Sequence, residues 1–193
     1  MILNGKGGGN TKTGLIFEGK TDLETFLSKQ NGYSIKKEEE TVLFKGKKQK
    51  ITVRNVYYNT NKVAELYKKN EFYAVLLKKF NIEWEQFISK KLLPDDSIFV
   101  IIKNTVFIVE CKHQQVAGSV DEKLQTCDFK KKEYKKLLSK ANLDVEYIYL
   151  LDEWFKDPKY KDVLDYIHSV NCDYYFEYIP LNKFGLPVPK NEE

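Results

Sequence analysis

Arginine, cysteine, histidine and long apolar runs are all scarce in this 193-residue chain. The three cysteines, Cys111, Cys127 and Cys172, are widely spaced and match no zinc-ligand pattern. So sparse and odd a set excludes a disulfide framework and fits a reducing compartment. No apolar run approaches the roughly 18–20 residues of a membrane span. The opening MILNGKGGGNTKTG lacks the apolar core of a secretory signal. The expectation is a cytoplasmic protein with no membrane association. Arg54 is the single arginine among 32 basic residues, so the other 31 are lysines. Coding bias of an AT-rich genome accounts for this, but the consequence is chemical. If the protein reads DNA, bidentate arginine–guanine contacts are nearly unavailable, and Lys, Asn and Gln must do most of the reading.

What is present suffices for a core: 42% of residues are hydrophobic and 14% aromatic. Length and the absence of repeats or long linkers suggest one domain spanning 1–193, with a loose tail at about 183–193. The net charge of +4 permits nucleic-acid binding without requiring it. Along the chain, Ile16, Leu23, Phe26 and Leu27 predict a helix from about 13 to 29, ended by the turn QNGY. YSIKK, TVLFKG and ITVRNVYY read as strands, with KGKKQK at a hairpin tip. NKVAELYKKNEFYAVLLKKF reads as a long lysine-faced helix and EWEQFISKK as a shorter one. SIFVII and TVFIVEC are strands joined by a tight turn at Lys103 and Asn104. In GSVDEKLQTCDFKKKEYKKLLSK, Val120, Leu124, Cys127, Tyr134 and Leu138 form one helical stripe, interrupted by Lys131. VEYIYLLD, YKDVLDYIHSV and DYYFEYI complete a strand, helix, strand series. The sum is an α/β fold with a mixed central sheet flanked by helices.

The segment NTVFIVECKHQQ carries the chemical signal. Val106 to Val109 read as a strand buried on both faces, and alternation sends Glu110 and Lys112 to one face and Cys111 to the other. Opposite charges at the end of a core strand are costly unless paired, hydrated or bound to metal. Fifteen residues earlier, Pro94 closes one element and Asp95 and Asp96 open the first strand of the hairpin. A short hairpin brings the start of one strand beside the end of the other, so an aspartate approaches Glu110 and Lys112. Two carboxylates with a neighbouring lysine suit Mg²⁺ and phosphodiester hydrolysis, the lysine orienting water and offsetting phosphate charge. The plainer alternative is a structural Glu110–Lys112 ion pair with Asp95 in a turn.

Pro94-Asp95 followed by Glu110-Cys111-Lys112 resembles the signature of the PD-(D/E)XK nuclease superfamily, and ECKHQ resembles a segment of some type II restriction endonucleases. The resemblance covers about residues 13 to 151 and implies a restriction-endonuclease-like core, αβββαβ. It implies that Asp95 and Glu110 bind Mg²⁺ and that Lys112 contacts water and phosphate. Asp96 competes with Asp95, and the Pro-Asp register favours Asp95. Such nucleases often add a first-helix glutamate, which falls on Glu18, with Glu24 as competitor.

Weaker signals lie around this set. The glycine-rich opening misses the phosphate-loop pattern, because Leu15 stands where the lysine belongs. It reads instead as a DNA-contacting loop at 1–13, through Asn10 and Lys12 among others, or as a start to the first helix with Thr13 as cap. Gln114 suits an adenine contact. Lys123, Lys130 and Lys131 either line a DNA cleft or form a solvated face. Lysines at 45–50 either grip phosphates or are solvated. Arg54, Asn55 and Asn59 are candidate base readers. His113 is read as a strand-end histidine or phosphate contact rather than a catalyst, and His168 as structural.

The resulting expectation is a type II restriction endonuclease cutting double-stranded DNA with Mg²⁺, a homodimer on a palindromic site, accompanied by a cognate DNA methyltransferase. The alternatives are a structure-specific, repair or phage-type nuclease of the same superfamily, and a non-catalytic basic nucleic-acid-binding protein.

Overall fold

A computed structural model describes residues 14–16, 23–113 and 120–189, with backbone only at 14–16, 120 and 121. A seven-stranded sheet forms its centre. Strands β2 (Tyr33–Phe44), β3 (Lys47–Tyr58), β4 (Asn61–Tyr67), β5 (Asp96–Val100) and β6 (Thr105–Lys112) run antiparallel to their neighbours. β7 (Asp144–Leu151) and β8 (Asp173–Phe176) then continue parallel to β6. A separate ribbon pairs β1 (Gly14–Ile16) with β9 (Tyr178–Pro180).

β6 is apolar from Val106 to Val109 because both its faces are covered. Val106 and Ile108 pack with Tyr134, Leu137 and Leu138 of helix α3 (Cys127–Leu138). Phe107 and Val109 pack with Leu23 and Leu27 of helix α1 (Leu23–Ser28), and with Leu181 and Phe184 of helix α5 (Leu181–Phe184). Helix α4 (Lys161–Ser169) adds Leu164 and Ile167 to the α3 side. No helix among the described residues is long and apolar enough to cross a membrane.

Several elements differ from the sequence expectation. The helix expected over 61–80 is strand β4 followed by a short helix, Phe72–Leu77. Asn59, in the left-handed region at φ 54°, turns the chain with Thr60 so that the next residues pair with both β3 and β5. Val63, Ala64, Leu66 and Tyr67 are buried there, and over seven residues the strand and helix periods place the same residues inside. The helix expected over 13–29 is β1 at its start and α1 at its end, with 17–22 outside the described residues. The helix expected over EWEQFISKK shrinks to one turn, Trp84–Gln86.

The helix expected after β6 is two helices, α2 (Val120–Leu124) and α3. The Tyr149 hydroxyl donates to the Lys123 carbonyl at 3.2 Å and the Thr126 hydroxyl to the same oxygen at 2.7 Å, which diverts a carbonyl from the helical ladder. Lys131, which interrupts the apolar stripe, is nonetheless buried; its ammonium donates to Glu146 at 2.8 Å and to the Asn171 carbonyl.

The expected loose tail packs through residue 189. Leu181, Phe184 and Leu186 are buried, and the Tyr33 hydroxyl donates to the Pro187 carbonyl at 2.6 Å. Phe184 meets Phe107 edge to face, with centroids 5.4 Å apart. Phe184→Ala is therefore expected to cost about 3–5 kcal/mol, read as a lower urea midpoint with an unchanged slope. A midpoint within experimental error of the parent would mean that the tail does not dock.

Candidate active site

The hairpin register sets the geometry. Asp96 pairs with Val109, so one further step along the antiparallel ladder places Asp95 opposite Glu110. Alternation then puts Asp95, Glu110 and Lys112 on the α3 face of the sheet. Asp96 turns to the opposite face, where its Oδ2 accepts the Leu23 N–H of α1 at 3.3 Å. Asp95 is exposed, and its Oδ2 accepts the Cys111 N–H across the hairpin at 3.1 Å.

The chain entering Asp95 is pinned from two sides. The Tyr73 and Tyr134 hydroxyls donate to the Leu92 carbonyl at 2.9 and 3.1 Å, and the Leu92 N–H donates to the Tyr73 oxygen at 2.8 Å. Burial pushes the Tyr73 phenol up to about 12 and raises Tyr134 further, so both remain protonated donors.

Glu110 is 5% exposed and holds two ammonium groups. Lys112 Nζ lies 2.9 Å from its Oε2, and Lys130 Nζ lies 2.8 Å from both oxygens. Burial works to raise the Glu110 pKa, but the charges and hydrogen bonds of Lys112 and Lys130 outweigh it and hold the carboxyl below its usual range. Tyr147 and Tyr149, from β7, form the floor on the same face, their rings edge to face at 5.3 Å. Burial, with the Glu110 charge second, raises both phenols. Lys112 Nζ also sits 5.9 Å from the centre of the Tyr149 ring. On the other face, burial and the charges of Asp95 and Asp96 push the Cys111 thiol up to about 12, which makes it a packing group rather than a nucleophile.

At the end of β6, His113 Nδ1 meets Asp152 Oδ2 at 2.7 Å, and the Asp152 N–H donates to the Lys112 carbonyl at 3.3 Å. His168 lies elsewhere, against Asp173 and Tyr174. Arg54 is committed to Glu24, at 3.2 Å, and to Glu71, and so ties α1 and the Phe72–Leu77 helix to β3. Glu24, the competitor for the first-helix position, is thus in a salt-bridge group with Arg54 and Lys68. Asn55 is buried and donates to Glu38. Lys123 is exposed on α2. Glu18, Asn10, Lys12 and Gln114, with the loop at 1–13, lie outside the described residues.

Sequence reasoning named Lys130 as a cleft or solvated-face lysine and missed its pairing with Glu110. The signal was available: Lys130 stands three residues after Cys127 and four before Tyr134, both on the stripe that faces the sheet. A lysine at that position must meet the polar end of β6.

The donor set suits a hard cation. Asp95 and Glu110 supply oxygen from facing positions, and Mg²⁺ typically takes one or two carboxylates and completes its shell with water and phosphate. Among the described residues no cluster of three or more His, Cys, Asp or Glu side chains is placed to hold a metal.

The fold and this arrangement define an α/β protein with acidic and basic side chains gathered at the open ends of a central β-hairpin. The PD-(D/E)XK nuclease superfamily domain matches residues 29–127, just over half of the chain, and the chain belongs to that superfamily. The matched region includes Asp95, Glu110 and Lys112 and stops three residues short of Lys130. No curated protein and no solved structure matches the chain significantly.

The Glu110 environment has a consequence for stability against pH. Its folded pKa lies below the unfolded one, so its ionic contribution is present at neutral pH and is lost as pH falls through the carboxylate range. Glu110→Gln is expected to be less stable than the parent by about 2 kcal/mol near pH 7. That gap should begin to narrow below about pH 5 and close as pH falls through the lowered Glu110 pKa, as followed by urea unfolding at each pH. A gap that stays constant across this range would contradict the ionised, lysine-paired state.

Proposed function

We propose that the protein is a Mg²⁺-dependent endonuclease of type II restriction character, hydrolysing phosphodiester bonds of double-stranded DNA at a short specific sequence. The observation that carries this reading is the register that sets Asp95 opposite Glu110, with Lys112 on the Glu110 carboxylate. Asp95 and Glu110 are the residues that would hold Mg²⁺, whose Lewis acidity at the scissile phosphate is the chemistry it supplies when bound.

The chain's own groups do the rest. Lys112 donates toward the attacking water and offsets negative charge on the phosphate. Lys130 donates to both oxygens of Glu110 and keeps that carboxylate anionic and fixed in orientation. Tyr73 and Tyr134 act as positioning residues, holding the backbone that delivers Asp95. Glu18 stands as a candidate third acidic group, and Asn10, Lys12, Gln114 and Lys123 as candidate DNA contacts.

The ECKHQ segment supports the type II reading, and with it a homodimer on a two-fold site and a cognate methyltransferase. All three cysteines are free, which supports a reducing, cytoplasmic setting.

Digestion of long duplex DNA by the purified protein tests this. Discrete fragments are expected in Mg²⁺ and none in EDTA. Asp95→Ala, Glu110→Ala and Lys112→Ala should each slow cleavage by about 100-fold or more while the proteins remain folded. Cleavage of branched DNA alone would assign a structure-selective nuclease. Intact DNA on all unmethylated substrates, branched and linear, would reduce the cluster to a structural ion pair.

A further inference from the structure

The β2–β3 hairpin is longer than the sheet that supports it. Both strands have 12 residues, but pairing of β3 with β4 begins only at Arg54. From Lys47 to Val53, β3 therefore has only β2 beside it among the described residues. Carrying the register across the sheet aligns Ile51 and Glu40 with the Asp95–Glu110 row. The tip at Lys45–Gly46 lies five residues further on, leaving the sheet from the end that carries the carboxylates.

The two faces of this extension differ. The inner face is braced: Ile51 is buried, Val42 packs on the core, Lys78 donates to Gln49 at 3.0 Å, and Lys45 pairs with Glu83 at 2.9 Å. The Lys45 backbone N–H also donates to Asn81 Oδ1 at 3.2 Å. The outer face presents the cross-strand pairs Leu43–Lys48, Thr41–Lys50 and Glu39–Thr52 to solvent. Leu43 is 59% exposed. On this face Lys48 has no acidic partner among the described residues, and Lys50 makes an exposed contact with Glu39 at 3.3 Å, while Lys47 alternates to the face of Gln49.

We propose that this outer face is a second contact with duplex DNA, its lysines gripping phosphates away from the cleaved bond. The inference rests on the nuclease reading for its substrate and on the ribbon geometry for its place. Charge and distance support it. Three interstrand spacings and five residues of strand put the tip roughly 22 Å from Glu110, and sheet twist rotates the ribbon without changing that length. At 3.4 Å per base pair, 22 Å spans about six base pairs.

The test is the full-length double variant Lys48→Glu/Lys50→Glu, with Lys135→Glu/Lys136→Glu in the last turn of α3 as a control of equal charge change. Binding to a fluorescent duplex three turns long is measured by anisotropy in EDTA over a salt series, and cleavage is measured separately in Mg²⁺. The ribbon variant is expected to lose affinity on the order of tenfold or more, with the slope of log K against log salt reduced by about 2. The control should stay within about twofold of the parent.

Unchanged affinity and slope in the ribbon variant, or an equal loss in the control, overturns the inference. So does a parent protein that binds no duplex. A parent that cleaves DNA while the ribbon variant binds normally leaves the active-site reading intact. A parent that binds through the ribbon and never cleaves removes that reading and keeps the ribbon.

Discussion

One buried carboxylate organises the charged end of the central hairpin. Glu110 is carried inside by β6, whose preceding residues are apolar because both faces of the strand are covered. A lone anion at that depth would take up a proton or distort the strand. Instead Lys112, two residues along the same strand, and Lys130, from the helix that covers the face, both reach it. This makes α3 part of the site and not only part of the core. It also explains why the helix restarts at Cys127: the Tyr149 and Thr126 hydroxyls divert the Lys123 carbonyl at the preceding break. The helix that delivers Lys130 and the tyrosine floor beneath Glu110 are thereby held in one arrangement.

The division between Asp95 and Asp96 follows from the same register. Adjacent residues at a strand start cannot serve one face. Asp96 turns toward α1 and accepts its first N–H, while Asp95 stays on the Glu110 side and remains exposed. A buried, lysine-neutralised carboxylate opposite an open one forms an asymmetric pair. One member is fixed and ionised at neutral pH, and the other is open to solvent and to whatever approaches the hairpin end. The Leu92 carbonyl, held by two tyrosine hydroxyls, keeps the open member in register although its own side chain is not enclosed.

Much of this was legible in the sequence where a pattern had a single structural meaning. A four-residue apolar run ending in Glu-Cys-Lys reads as a core strand with charges on one face, and the Pro-Asp start with a short turn fixes its partner. The pattern failed where two periods coincide. In NKVAELY, Val63, Leu66 and Tyr67 satisfy a helix and a strand alike, and the choice fell to pairing with β3 and β5, which no local signal encodes. Lys131 misled in the opposite way. It looked like a break in an apolar stripe, yet the sheet end offers Glu146 and a backbone carbonyl within reach of its ammonium, so the charge is buried without being orphaned. Lys130 could be read as a cleft or surface lysine from the sequence, and its place on Glu110 follows from the stripe of α3 that faces the sheet. The tail looked loose because its apolar residues are few and punctuated by Gly and Pro, but those few fill the α1 side of the sheet.

The single arginine sharpens the argument about recognition. Its guanidinium is engaged by Glu24 and Glu71, where it joins three elements through one side chain. Since the chain has no other arginine, no bidentate guanidinium is left to read guanine in a major groove. Phosphate contacts then fall to lysines, which act as point charges without the geometric selectivity of a planar fork. Any sequence preference must come from amide and hydroxyl side chains, apolar contacts such as those open to Leu43 and Thr41, or the deformability of the DNA itself. On the proposed duplex substrate, affinity built this way would be strongly salt-dependent, and selectivity would have to be concentrated in a few short polar side chains.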